Sequence, residues 1–224
     1  MSSGSRTTVQ SLIGLAIFAA LLFVPAGTLN YWQAWVFLAV ITITTVGPYL
    51  HLSRIDPAAV ERRRNAGPKA ETRPVQKVAV VGIIVVFAAL LPVAALDHRF
   101  GWSSVPALVA VFGNVLVAVG MGMAMLVIYQ NRYASANITV ESGQPLVTTG
   151  LYSFVRHPMY FSSVIMALGM PLALGSYWGL LLIIPTLILL AIRIADEERM
   201  LVDELAGYAQ YRQRVRYRFL PYIW

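Results

Sequence analysis

Residues 105–129 read VPALVAVFGNVLVAVGMGMAMLVIY, an uninterrupted apolar segment without a charged side chain. An α-helix needs about 20 predominantly apolar residues to cross the hydrocarbon core of a bilayer, so this segment predicts a transmembrane helix. Gly113, Gly120 and Gly122 lie within it and favour close packing against a neighbouring helix. Gly120-x-Gly122 is not followed by the rest of a dinucleotide-binding fingerprint and no strand precedes it, which excludes a Rossmann loop.

Apolar segments on both sides of residues 105–129 predict an all-α, polytopic integral membrane protein. The chain has 224 residues, of which 58% are hydrophobic and 12% charged, and this composition is too apolar for a soluble domain of that length. Four transmembrane helices are expected, at residues 9–24, 32–52, 78–96 and 105–129. No internal repeat or low-complexity segment divides the chain, so residues 1–224 are expected to form a single domain.

The C-terminal part is expected to contain a helical hairpin and an amphipathic cytoplasmic tail. Residues 159–174 and 178–193 are its apolar arms and Gly175-Ser176 is its turn. The arms either make two more spans or form a shorter re-entrant pair. From Asp196 on, apolar residues recur at helical spacing among Arg and acidic residues; they are Met200, Leu201, Leu205, Tyr208 and Tyr211.

The 17 Lys and Arg residues are distributed very unevenly over this topology. With a cytoplasmic N-terminus, only Arg99 lies on the outer side, and the connection 53–77 alone carries many of the inner cations. This positive-inside bias predicts that both termini and residues 146–160 are cytoplasmic. It also accounts for the net charge of +7 without a nucleic-acid partner.

The absence of cysteine narrows the chemistry further. It excludes disulfides, Cys-based zinc or iron–sulfur sites and thiol catalysis. A basic, Cys-free chain without a targeting peptide also favours a bacterial inner membrane as its location.

Residues 146–160, LVTTGLYSFVRHPMY, form the polar segment in which functional side chains are expected. Pro158 disfavours helical geometry at His157 but suits the first turn of a new helix. Arg156 and His157 are therefore predicted at a helix entrance, where the helix dipole and free N–H groups favour an anionic or acceptor-rich ligand. The alternative is that both side chains only cap the helix or meet lipid phosphates.

Three other residues of this segment have ordinary structural interpretations. Gly150 predicts a tight turn, and close approach to a ligand is its second possibility. Tyr152 and Tyr160 are by default aromatic residues of the membrane interface.

A second polar group follows in residues 192–201, IRIADEERML. Arg193 and Glu197 are four residues apart and share a face of a continuous helix. Glu198 points roughly a quarter-turn away. The alternative is an interfacial helix end whose Arg and acidic residues are solvated or paired with one another.

Taken together, LVTTGLYSFVRHPMY, the hairpin, RIADEERML and the following GYAQYRQRV closely resemble the isoprenylcysteine carboxyl methyltransferase family and its phospholipid methyltransferase relatives. The family pattern is LVTxGxYxxxRHPxYxG, then a helical hairpin, then Arg-x-x-x-Glu-Glu. This chain has Ser162 where the family usually has Gly, a difference that concerns local helix packing. The resemblance covers residues 131–224 and implies a cofactor-binding catalytic region there, after transmembrane helices in residues 1–130.

The resemblance implies S-adenosylmethionine as the cofactor, in a cytoplasmic pocket closed by the C-terminal segment. It implies that His157, Tyr160 and Glu197 bind the cofactor, that the backbone from 146 to 152 surrounds the adenosyl group, and that Arg193 faces the reacting centre. The expected catalytic residues are Arg193 and Glu197, and the expected cofactor-binding residues are Leu146, Val147, Gly150, Leu151, Tyr152, Arg156, His157, Tyr160, Glu197 and Glu198. Methyl transfer needs mainly alignment and desolvation, so no metal is required.

Two alternatives and several acceptors stay open. Membrane sterol reductases, which bind NADPH, share a related C-terminal architecture, but their motif reads more like PNYxGE than the PMYFSS found here. A non-enzymatic membrane protein on the same scaffold is the other alternative. For the methyltransferase, membrane lipids and other lipophilic molecules are the expected acceptors. Arg193 favours a carboxylate, and a lipid amine or a thiol stays possible. The alternative for Arg193 is that it pairs only with Asp196 or Glu197 on its own helix.

Overall fold

The computed structural model describes residues 3–64, 67–134, 140 and 143–224, without the side chains of residues 3–12 and 64. In these ranges the chain forms α-helices and two short 3-10 helices, Gly150–Ser153 and Trp178–Leu182, with no β-strand. The α-helices are α1 (Ser3–Ala26), α2 (Trp32–Ile55), α3 (Pro57–Arg64), α4 (Pro74–Phe100), α5 (Ala107–Gln130), α6 (Pro158–Ala173), α7 (Ile183–Glu204) and α8 (Tyr208–Arg214).

Four helices in the described part of the chain are long and apolar enough to cross a membrane: Trp32–Ile55, Pro74–Phe100, Ala107–Gln130 and Trp178–Glu204. Two apolar helical segments are shorter: Ile13–Ala26, which is the part of α1 described with side chains, and Pro158–Ala173, which is α6. The all-α membrane fold is therefore confirmed. The predicted spans 32–52, 78–96 and 105–129 correspond to α2, α4 and α5, and the predicted span 9–24 lies within α1. The other long apolar helix in the described part of the chain is the return arm of the hairpin. This arm is long enough to cross a membrane because α7 continues as a helix beyond residue 193 to Glu204.

The connection between the second and third predicted spans contains a short helix, α3, where the sequence predicts only a polar connection. Asp56 accepts a hydrogen bond from the backbone N–H of Ala59 through Oδ1 at 3.0 Å, and Pro57 occupies the first turn. Ala59 and Val60 are buried in a cluster with Leu52 of α2 and Ile128 of α5. Two apolar residues are too few to show a helical period, although they suffice to dock one short helix on the bundle.

Helices α5 and α6 pack at very close range. A Cβ atom on Gly113 would lie 2.2 Å from the backbone nitrogen of Ala173, and one on Gly120 would lie 2.8 Å from the carbonyl oxygen of Ser162. Ser162 is fully buried and donates its hydroxyl to the carbonyl oxygen of Met159 at 2.7 Å. Glycine on α5 therefore lets the backbone of α6 approach closely, while the hydroxyl of Ser162 is hydrogen-bonded within α6 itself. The predicted packing role is wrong for Gly122, because a Cβ atom there would meet nothing within 4 Å.

We expect Gly113→Ala to destabilise the protein by about 1–3 kcal/mol, the usual cost of overpacking a well-packed core. The matched control is Gly122→Ala on the same helix, which should be neutral or slightly stabilising because alanine favours a helix by about 1 kcal/mol over glycine. Thermal unfolding of the two purified variants in detergent gives the comparison. Equal melting temperatures for the two variants would contradict the close contact at Gly113.

The end of the bundle formed by residues 27–31, 101–106 and 174–177 is fixed by buried polar groups. Asp97 is fully buried and accepts hydrogen bonds from the hydroxyls of Ser103 at 2.7 Å and Ser176 at 2.5 Å. The hydroxyl of Tyr31 donates to the carbonyl oxygen of Leu174 at 2.6 Å. Gly175 has a φ of +72°, which confirms the predicted hairpin turn. These bonds fix the hairpin to α4 and to the start of α2.

Candidate active site

The candidate site lies at the other end of the bundle, between the segment 146–160 and the polar C-terminal half of α7. Gly150 has a φ of +61°, and a Cβ atom there would lie 2.6 Å from the side chain of Gln130. Oε1 of Gln130 accepts a hydrogen bond from the backbone N–H of Leu151 at 2.9 Å. The end of α5 thus holds the tight turn from which the 3-10 helix Gly150–Ser153 begins.

His157, Tyr160 and Glu197 form one polar group. The Tyr160 hydroxyl donates to Oε2 of Glu197 at 2.7 Å, and Nδ1 of His157 lies 3.6 Å from the same oxygen. The rings of His157 and Tyr160 stack with centroids 5.6 Å apart. Nε2 of His157 is 3.4 Å from Glu198 but is buried without a hydrogen-bond partner. A buried ring nitrogen in that state can bond a polar group of a ligand.

Arg193 is held across helices and not only within its own. Its Nε donates to the Tyr160 hydroxyl at 2.9 Å, and its Nη1 donates to Glu71 at 3.0 Å and to Oε1 of Gln76 at 2.9 Å. Gln76 in turn donates to Asp196 at 2.6 Å. Glu71 and Gln76 are both buried. The guanidinium therefore has a fixed orientation next to Tyr160 and Glu197.

Glu71 and Gln76 are not among the site residues predicted from the sequence. Gln76 lies in the first turn of α4, and Glu71 lies in the segment before that helix. Gln76 gives a weak indication of a functional role, since it is an amide next to the start of the apolar segment 78–96. Glu71 gives none, since it is one acid in a connection rich in Lys and Arg. Their roles depend on contacts more than 110 positions along the chain.

Arg156 bonds the C-terminal segment to the site. Its Nε donates to Oε1 of Glu198 at 2.5 Å, and its Nη1 donates to the carbonyl oxygens of Val215 and Arg216 at 2.7 and 2.8 Å. The backbone N–H groups of Arg156 and His157 also donate to the carbonyl oxygens of Tyr217 and Arg218. Oε2 of Glu198 accepts a further bond from Arg218 at 3.0 Å. Glu198 thus joins the helix entrance to the tail.

These residues surround a cavity of about 480 Å³, a size within the range of small-molecule sites. Among the predicted site residues, its wall includes Leu146, Val147, Tyr152, Arg156, His157, Tyr160, Arg193 and Glu197. Gly150, Leu151 and Glu198 lie outside that wall, where Gly150 shapes the turn and Glu198 holds Arg156. Direct contact of these three residues with a ligand stays a prediction.

The cavity has a polar end and an apolar end. Near the polar end, residues of the tail, among them Leu205, Tyr208 and Tyr211, line its wall. The apolar end lies between α4, α6 and α7 and is lined by Ile83, Phe87, Met166 and Leu190, among others. The space therefore extends from the charged group at His157 and Glu197 into the membrane-spanning part of the bundle.

The tyrosines around the polar end are neutral at physiological pH. Burial raises the pKa of Tyr152 to about 12, although the hydrogen bond from Asn131 opposes this shift and Glu197 adds to it. Burial also raises the pKa of Tyr211, whose hydroxyl donates to the carbonyl oxygen of Tyr152 at 2.6 Å. Tyr152 and Tyr211 therefore act as hydrogen-bonding groups and not as bases.

Comparisons with known proteins agree with this arrangement. Residues 108–207 match the sequence model of the family described as phospholipid methyltransferase. A protein-S-isoprenylcysteine O-methyltransferase of Schizosaccharomyces pombe is 32% identical over 120 residues, which are 46% of this chain and 50% of that protein. A Delta(14)-sterol reductase of Mus musculus is 32% identical over 92 residues, which are 39% of this chain and 22% of that protein.

The chain thus matches half the length of the first of these curated relatives and less of the second. The matched family region contains α6, α7 and the segment between α5 and α6, and it includes every residue of the polar group at His157, Tyr160, Arg193 and Glu197. Over residues 108–207 the chain is therefore similar to the phospholipid methyltransferase family, and its all-helical membrane fold is consistent with that similarity.

Proposed function

We propose that this protein is an S-adenosylmethionine-dependent methyltransferase that acts on a lipophilic acceptor within the membrane. The observation that carries the proposal is the single cavity that joins the polar group of His157, Tyr160 and Glu197 to an apolar chamber between α4, α6 and α7. A charged, water-soluble cofactor needs the first environment, and a lipophilic acceptor needs the second.

The residues at the polar end suit S-adenosylmethionine. The carboxylate of Glu197 offers a partner for a cationic group, since charge-assisted bonds to a carboxylate are strong. The buried imidazole of His157, whose Nε2 makes no hydrogen bond to the described residues and lies 3.4 Å from Glu198, offers a further polar contact. Leu146, Val147 and Tyr152 provide an apolar and aromatic wall for an adenosyl group. When bound, this cofactor supplies an electrophilic methyl group, and the chain's own part is to align the acceptor and to exclude water.

Arg193 supports a carboxylate as the acceptor group. Its guanidinium already binds one carboxylate, that of Glu71, and its Nε is directed at Tyr160 beside the cavity. An anionic head group that enters from the apolar chamber would reach the same cation. Glu71 and Gln76 hold Arg193 in place for that contact. An amine or a thiol acceptor is distinguished from a carboxylate by the chemistry of the product.

We also propose that the site end faces the cytoplasm of a bacterial inner membrane. Arg99 is the single cation of the chain at the opposite end of this topology, while the loops at the site end carry most of the others. That orientation gives a cytosolic cofactor direct access to the polar end of the cavity.

An NADPH-dependent reductase is the second candidate, because the chain is similar to a sterol reductase over 92 residues. The two functions require different cofactors at one site. The choice between them is therefore a question of binding and can be decided on the purified protein.

The test is a titration of the purified protein in detergent with S-adenosylmethionine, S-adenosylhomocysteine and NADPH. We expect saturable binding of the first two and none of NADPH; the reverse result would favour the reductase, and binding of none would favour a non-enzymatic protein. A second assay uses labelled methyl donor with membrane lipid extracts, followed by base treatment of the product. A base-labile methyl group indicates an ester and a carboxylate acceptor, and a base-stable one indicates nitrogen or sulfur.

A further inference from the structure

Arg63, near the C-terminal end of α3, lies in the wall of the cavity and outside the segments that resemble the family. Its Nη2 donates to the carbonyl oxygen of Ala134 at 3.1 Å. Its Nε is buried and has no hydrogen-bond partner in the part of the chain that the structure describes. Within the described ranges no carboxylate forms an ion pair with Arg63. By contrast, the other two guanidinium groups in the cavity wall, Arg156 and Arg193, each have a carboxylate partner.

The burial of this cation is costly as long as no anion accompanies it. Burial lowers the pKa of Arg63, and the nearby Tyr152 only partly opposes that effect. Removing a charge from water is unfavourable unless the charge is paired and hydrogen-bonded. The neighbouring Arg62 also has a buried Nε without a hydrogen-bond partner among the described residues, but it stacks on Tyr133 at 5.5 Å and lies outside the cavity wall. The position in the cavity wall is what distinguishes Arg63 from Arg62. The location of Arg63 therefore indicates an anionic group of a ligand.

Arg63 and Glu197 act on the same part of the cavity. Arg63, Tyr152 and Glu197 all line this cavity. The charges of Arg63 and Glu197 also shift the pKa of Tyr152 in opposite directions. A guanidinium and a carboxylate near one tyrosine match the two charged groups of an α-amino acid. The methionine part of S-adenosylmethionine carries such a pair, an ammonium group and a carboxylate.

We propose that Arg63 is an anion-binding residue of this cavity and that it holds the α-carboxylate of S-adenosylmethionine, while Glu197 faces the cationic part of the same ligand. This assignment rests on the proposed function. A carboxylate or phosphate of the lipophilic acceptor has the same chemistry, so the experiment separates the two sources.

The experiment compares the affinities of two ligands for the full-length protein in detergent, measured by calorimetry. S-adenosylhomocysteine carries the amino-acid group, and methylthioadenosine lacks it. We expect Arg63→Gln to weaken S-adenosylhomocysteine binding by about tenfold or more, the effect of losing a hydrogen bond to a charged group, and to leave methylthioadenosine binding unchanged. Arg63→Lys should restore part of the loss. Arg62→Gln is the matched control, because Arg62 donates a similar bond to the carbonyl oxygen of Arg132 at 2.9 Å.

Several results would overturn the proposal. Equal losses for the two ligands would mean that Arg63 only supports residues 131–134. Unchanged S-adenosylhomocysteine binding, together with a raised KM for the lipid acceptor, would assign the anion to the acceptor. If wild-type protein binds S-adenosylhomocysteine and Arg63→Gln binds it and the acceptor equally well, only this proposal fails. If wild-type protein does not bind it at all, the proposed function fails as well.

Discussion

Glu197→Gln is expected to weaken the binding of S-adenosylmethionine by about 2–5 kcal/mol, the cost of removing one partner from a desolvated charge pair. The amide keeps the shape of the side chain and can still accept from the Tyr160 hydroxyl, so the loss reports the missing charge. His157→Ala should weaken binding as well, because it removes the imidazole that lines the cavity next to Tyr160 and Glu197. Calorimetric titration of each variant with S-adenosylmethionine and S-adenosylhomocysteine measures the effect.

Asp203→Asn provides the control for Glu197→Gln, since Asp203 lies on the same helix but is exposed. It changes the net charge equally and should bind both ligands like the wild type. If Glu197→Gln and His157→Ala also bind both ligands like the wild type, the assignment of these residues to the cofactor is wrong. A loss confined to S-adenosylmethionine would identify the sulfonium as the group that Glu197 contacts, since that charge is absent from S-adenosylhomocysteine.

Glu198→Gln is expected to lower the stability of the protein by about 3–5 kcal/mol, because it leaves Arg156 as an uncompensated buried charge. The Arg156 and Glu198 side chains are 5% and 4% exposed, so water cannot replace the lost partner. Arg218 loses its carboxylate in the same variant, and the tail loses one of its contacts with α7. Thermal unfolding and limited proteolysis between residues 205 and 224 both report the change.

Glu204→Gln is the control for this second substitution, since Glu204 is exposed at the end of the same helix. A surface position of this kind usually changes stability by about 0.5 kcal/mol or less. If Glu198→Gln unfolds at the same temperature as Glu204→Gln and its tail resists protease equally well, the pair with Arg156 does not stabilise the fold. In that event Glu198 would be free for the cofactor contact that the family resemblance implies.

The parts of the structure that follow from local pattern could be predicted from the sequence. Apolar segments define the membrane helices, the Gly175-Ser176 turn defines the hairpin, and the proline after His157 defines the start of α6. The four-residue spacing of Arg193 and Glu197 places them on one face of α7, and both line the cavity.

The parts that depend on distant contacts could not be predicted. Glycine spacing alone cannot distinguish Gly122, which meets nothing, from Gly113, which lies against the backbone of α6. The short helix α3 has no period of its own, so neither its existence nor the direction of Arg63 could be read from the sequence. The only protein partners considered for Arg193 were Asp196 and Glu197 of its own helix, whereas Glu71 and Gln76 come from the start of α4 and the residues before it.

The contact of Glu71 and Gln76 with Arg193 has a consequence for how proteins with this motif diversify. The matched family region begins at residue 108, and both of these side chains precede it. Substitutions near the start of α4 can therefore alter the surroundings of Arg193 while every residue of the motif is retained. Two paralogues with identical motifs can then differ in what they methylate, and a motif search would assign them to one activity.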